Sequence, residues 1–145
     1  MLSINRLGNL GRLANQMFQY ASIKGISSNR GYSFSIPPKD AFGAQDELVS
    51  QSDVTIYDVF ENVGNNIIGF QKNQTLWERM HHFDEELFVN CPDNVDLVGY
   101  FQTEKYFKHI EDEIREDFTF SKEITEMCKE SVSYTHLTLP TIVGV

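Results

Sequence analysis

The residues best suited to chemistry stand near the start of the chain, at positions 11–21, GRLANQMFQYA. A strand-like opening at 2–6 runs into a loop holding Gly8 and Gly11, and then into a helix-like run. Glycine lets the backbone turn tightly and approach a ligand closely. The N-terminus of the helix that follows presents free N–H groups and its positive dipole end to an anion. Arg12, Asn15 and Gln16 put a fixed cation and two amides at that same end, a group suited to sugar hydroxyls or to the phosphates of an activated sugar donor. Taken alone, the glycine loop reads as a structural turn, and an amide there can simply cap the helix. Met17, Phe18 and Tyr20 read as packing residues rather than ligand contacts.

A second group lies at 99–107, GYFQTEKYF. Gln102 and Lys105 sit at the C-terminal end of an expected strand, where open α/β sheets bind their ligands. Tyr100, Phe101, Tyr106 and Phe107 offer aromatic faces to sugar C–H surfaces, although Phe107 is better explained as core. His81 and His82 beside Asp84, Glu85 and Glu86 suggest a metal cluster. Adjacent helical residues point apart, however, and no third ligand has metal-site spacing, so a solvated polar face is expected and no metal is assigned. There is no Asp-x-Asp pair either.

The elements that must position these residues alternate. After the strand at 2–6, a helix is expected over 15–30, with Met17, Phe18, Ala21, Gly25 and Ile26 on one stripe and the small Ser22 and Gly25 allowing close packing on a sheet. Gly31 suits the C-terminal cap, and 32–36 alternates as a strand that Pro37 and Pro38 stop. This is a strand–helix–strand unit of a parallel sheet. The stretch 39–73 is hard to read beyond a loop at 62–66 and a short strand at 67–70. Short helices are expected over 76–82 and 84–89, a turn at 92–94, and a clear strand over 95–101. Thr103 caps an amphipathic helix over 104–117, with Phe107, Ile110, Ile114 and Phe118 on one side and a Glu111–Arg115 pair on its surface. Ser121 caps a last helix over 122–130.

The two motifs carry a resemblance. The stretch 11–21 resembles the N-terminal signature of glycosyltransferase family 11, the alpha-1,2-fucosyltransferases, and 99–107 resembles that family's second element, in the expected order over roughly residues 1–130. Ala14 departs from it, standing where the family commonly has glycine and narrowing the backbone approach. The resemblance implies an α/β, Rossmann-like N-terminal lobe of a GT-B type enzyme that transfers fucose from GDP-fucose to a galactoside hydroxyl with inversion and without a metal. It implies substrate-binding roles for Gly11, Arg12, Asn15, Gln16, Tyr100 and Gln102, and names no catalytic base. The family's H-x-R-x-G-D motif, which holds the donor's diphosphate, occurs nowhere in the 145 residues. A truncated and inactive piece is therefore expected, with a domain over 1–130 and a non-native tail over 131–145.

The tail has its own reading. Residues 132–141, VSYTHLTLPT, match the translation of a transposase adapter used in sequencing libraries, GTC TCT TAT ACA CAT CTG ACG CTG CCG ACG, and a tail of that origin is expected. Tyr134 and His136 are accordingly set aside as site residues.

Hydrophobic and charged contents of 41% and 23% are ordinary for a globular chain. A net charge of −9 leaves no basic patch for nucleic acid and no attraction to anionic membranes. A nucleotide-sugar donor and a glycan acceptor are the expected partners. No apolar run is long enough to cross a bilayer, and no apolar leader follows residues 1–6, so a cytoplasmic chain is expected, with peripheral membrane association left open. Cys91 and Cys128 read as free thiols, and the Asn73-Gln74-Thr75 acceptor pattern carries no weight in such a compartment. Two rivals remain: a non-catalytic glycan-binding or interaction domain, and a different nucleotide-binding domain. The second lacks the acidic residue expected after the second strand.

Overall fold

The computed structural model describes residues 1–42 and 54–138. Among these the chain alternates strands and helices, and five strands form one sheet in which every neighbouring pair is parallel. The strands are β1 (Leu2–Ser3), β2 (Phe34–Ile36), β3 (Ile67–Ile68), β4 (Gln74–Trp77) and β5 (Val95–Val98), in the spatial order β3-β2-β1-β5-β4. The helices are α1 (Leu13–Arg30), α2 (Ile56–Val59), α3 (Glu85–Asn90), α4 (Glu111–Asp117) and α5 (Lys122–Thr138), with short 3-10 turns between them. The arrangement is mixed α/β and compatible with a Rossmann-like fold.

The β1–α1–β2 unit follows from local sequence. Gly31 ends α1 in the left-handed conformation at φ 73°, and Leu2 and Ser3 then lie level with Phe34 and Ser35. β1 is shorter than the expected 2–6, because the Asn5 N–H turns to the Asp96 carboxylate at 2.8 Å instead of continuing a ladder.

The register sorts the strand residues onto two unlike faces. Leu2, Ile4, Ile36, Val95 and Leu97 join a core with Ile23 and Ile26 of α1, Leu87 of α3, and Tyr106. The other face carries Ser3, Ser35 and Asp96 side by side, all buried. Among the described residues, 69–73 bond across it: Asn73 donates to Ser3 Oγ at 3.1 Å, and Asn5 donates to the Gln71 carbonyl at 2.8 Å. Right-handed connections explain the division. The chain moves one way from β1 to β3 and from β4 to β5, and the other way only when 69–73 cross from β3 to β4. That crossing spans four strand spacings, about 19 Å. Six extended residue steps reach about 20 Å, so the strap is nearly taut.

Three expectations need correction. Residues 76–82 are not a helix: Leu76 and Trp77 complete β4, which pairs with β5 from Gln74↔Val95 to Trp77↔Val98, and pairing with a buried strand overrides local preference. The helix expected over 104–117 is broken into 3-10 turns at Glu104–Tyr106 and Lys108–Ile110 followed by α4. Phe107, at φ −132°, leaves helical geometry so that Tyr106 packs on Phe101 while Phe107 meets Phe18. Its apolar side survives the break, as Ile110 and Ile114 join Ala21, Phe107 and Phe118 in a second cluster. Gly25 packs not on a strand but on the backbone of Tyr106, whose carbonyl occupies the space a Cβ would need.

Ser121 caps α5 as expected, accepting from the Ile124 N–H at 3.3 Å. α5 runs without a break to Thr138, across the boundary between 130 and 131, and the remaining tail residues 139–145 lie outside the described residues, as do 43–53 of the unread middle. No helix among the described residues is long and apolar enough to cross a membrane.

Candidate functional site

Strands β1 and β5 are parallel neighbours, so the segments that follow them leave the sheet at the same end. In open α/β sheets ligands bind outside the carboxyl ends of the strands. Both motifs meet there along one seam. Gly25 of α1 lies against the Tyr106 backbone, and Ser22 Oγ donates to the Phe101 carbonyl at 3.2 Å. At the open end Gln102 Nε2 donates to Asn15 Oδ1 at 2.6 Å.

The predicted residues fall into two sets. Gly11, at φ 87°, is required where it stands, because a Cβ would collide with the Asn15 side chain folded back over it. Arg12 is the exposed N-cap of α1, makes no capping hydrogen bond, and forms no ion pair among the described residues. Asn15 is half-buried, Gln102 is exposed, and Tyr100 is 44% exposed. Gln16 does not join them. It is fully buried, and its Oε1 accepts from the Ile56 N–H at 3.0 Å, supplying the acceptor that the first turn of α2 lacks. Its Nε2 has no hydrogen-bond partner among the described residues. Of the other aromatics, Phe101 and Tyr106 are buried and form a T-shaped pair, so neither can stack on a ligand. Lys105 turns toward the Phe83 ring.

Sequence reasoning passed over other groups at this end of the sheet. The Arg6 guanidinium lies 5.0 Å from the centre of the Trp77 ring, which is 58% exposed at the end of β4. Glu78 follows, with its two carboxylate oxygens accepting from the Tyr100 N–H at 3.2 Å and the Phe101 N–H at 2.9 Å. Between those bonds and Ser22, Phe101 is held at φ 50°, a left-handed conformation that costs a non-glycine residue about 1 kcal/mol. Beneath the loop, Asp96 accepts from Ser3 Oγ at 2.9 Å and fixes the Asn5 backbone where the chain turns out of β1. A carboxylate inside the apolar run Val95–Val98 was the one legible signal of this network.

Other clusters are structural. His81 and His82 are exposed, and no metal-binding group of His, Cys, Asp or Glu occurs among the described residues. Asp84 caps α3 and is held by Arg79 through bonds of 2.8–3.1 Å. Burial acts to raise its pKa, but Arg79 and the Leu87 N–H outweigh that and hold it below the ordinary carboxylate value. Burial pushes the Cys91 thiol up to about 11, so it stays protonated and unreactive. Burial and then Asp117 drive the Tyr20 phenol far up, and its hydroxyl donates to Asp117 at 2.6 Å. An apolar groove of about 310 Å³ runs from Ala14 along Met17, Phe18 and Ala21 to Phe107, Ile114 and Phe118.

Comparison of the chain with protein-family models, with curated proteins and with solved structures finds no match.

Proposed function

We propose that this chain forms the N-terminal lobe of a GT-B type fucosyltransferase of glycosyltransferase family 11, handling saccharide hydroxyls at the crevice between β1 and β5. The observation that carries the reading is the Asn15–Gln102 hydrogen bond, which joins the two motifs in reach of solvent. The bond uses one acceptor and one donor. Each amide also carries a second polar atom, Asn15 Nδ2 a donor and Gln102 Oε1 an acceptor, the two kinds of group that sugar hydroxyls need. Tyr100 supplies an exposed aromatic face, and the cations Arg6 and Arg12 give this end of an acidic chain a local attraction for the donor's diphosphate.

In the reaction, a galactoside hydroxyl attacks the anomeric carbon of fucose from the face opposite GDP. The new C–O bond forms as the bond to the diphosphate breaks, the hydroxyl proton passes to a base, and GDP leaves with the electron pair. This chain's share is orientation of the hydroxyls and neutralisation of charge. Without an H-x-R-x-G-D motif it is not expected to complete the transfer alone. The test is an assay of the 145-residue chain with GDP-fucose and lactose, paired with a calorimetric lactose titration. Binding without turnover is expected, with affinity lowered about tenfold by Asn15→Ala, the loss of one hydrogen-bonding group. Turnover above a blank would overturn the view that the missing motif is indispensable, and lactose binding untouched by Asn15→Ala would overturn the site.

A further inference from the structure

The bend between β5 and Gln102 is shaped from outside itself. Glu78 leaves β4 with its N–H donated to the Val98 carbonyl at 2.8 Å, so its backbone is tied to the last residue of β5. Its side chain then lies over Gly99, where its Cβ takes the space a side chain at 99 would need. From there the carboxylate reaches both of the next two N–H groups, Tyr100 and Phe101. The far side of the Phe101 peptide is closed by Ser22 Oγ and by the Thr103 N–H at 2.8 Å, both bonded to its carbonyl. No ladder or helix bond fixes these peptides, and Phe101 holds a backbone angle that side chains disfavour. Gln102 is the next residue, and its amide ends on Asn15.

We propose that Glu78 is a positioning residue of the crevice: by accepting from two consecutive backbone N–H groups, its carboxylate holds the bend that delivers Gln102 to Asn15 and turns the Tyr100 ring outward. A carboxylate suits the task because it only accepts, and each of its oxygens can take one N–H. Glutamine keeps one acceptor and replaces the other with a donor that faces an N–H. The inference rests on the crevice reading for its ligand arm only, since the position of Gln102 is measurable without a ligand.

The experiment is a proton–nitrogen correlation spectrum of the full chain as wild type, Glu78→Gln and Glu78→Ala, followed by a lactose titration of each. In Glu78→Ala the Tyr100 and Phe101 amide protons should both move upfield and the Gln102 side-chain amide should move to its solvent-exposed position. In Glu78→Gln one backbone amide should move and the other stay. Lactose affinity should fall about tenfold in Glu78→Ala and less in Glu78→Gln. Should Glu78→Ala not fold, the same reading is taken from Glu78→Gln. A Gln102 amide unmoved in folded Glu78→Ala, or both backbone amides unmoved in Glu78→Gln, would overturn the proposal. A Gln102 amide that moves in a chain that never binds lactose would uphold Glu78 and overturn the crevice reading instead.

Discussion

The seam between α1 and the turn after β5 changes character along its length. At the Gly25 end two backbones touch with no room for a methyl group, and Tyr106 is sealed beneath them. At the Asn15 end two amides meet in reach of water. The same pair of segments is thus rigid where it is packed and open where it is polar. Ligand sites profit from such a division, because the packed end fixes the geometry that the open end presents. It also means that stability and binding can be perturbed separately.

Gly25→Ala should be the most damaging change, since the added Cβ can be housed only by parting α1 from the Tyr106 turn. A loss of about 3 kcal/mol is expected in a urea melt. A loss under about 0.5 kcal/mol would mean the two backbones are not in contact. Asp84→Ala should follow, at about 2 kcal/mol, by removing the α3 cap and the buried partner of Arg79 beside Tyr106. Because the Asp84 pKa is depressed in the folded state, its contribution is present above the ordinary carboxylate pKa and is lost as pH falls through the folded value. Wild-type stability should therefore drop in acid more than that of Asp84→Asn. Parallel acid titrations of the two would break this part of the comparison. Tyr106→Phe removes only the hydroxyl that accepts from the Asp84 N–H at 2.9 Å, and about 1 kcal/mol is expected. Gln102→Ala closes the series from the open end. Its unfolding free energy in the same urea melt should be almost unchanged, within about 0.5 kcal/mol, because an exposed amide pair adds little to the fold.

The β1–α1–β2 unit was more legible than either end of the seam. Glycine at 31, the prolines at 37 and 38 and the stripe along α1 encode the β1–α1–β2 unit locally, and the order of the motifs matches the order of the strands they follow. β4 was not legible, since an exposed edge strand of Gln, Thr, Leu and Trp becomes a strand through its pairing with β5. Gln16 misled for a related reason. Its role is fixed by the N–H of Ile56, forty residues away, and nothing near Gln16 announces that partner. Glu78 was invisible because a lone glutamate in a charged stretch reads as surface until Tyr100 and Phe101 are seen to donate to it. Local pattern reveals which residues are chemically able, and long-range contacts decide which of them face outward.

The open end can be tested most directly by following the Asn15 and Gln102 side-chain amide resonances of the full chain during a lactose titration. Both should shift together and saturate, with the Trp77 indole moving less and Gly25 staying still. Shifts confined to the apolar groove between α1 and α4, or no saturable shift at either amide, would contradict the saccharide crevice.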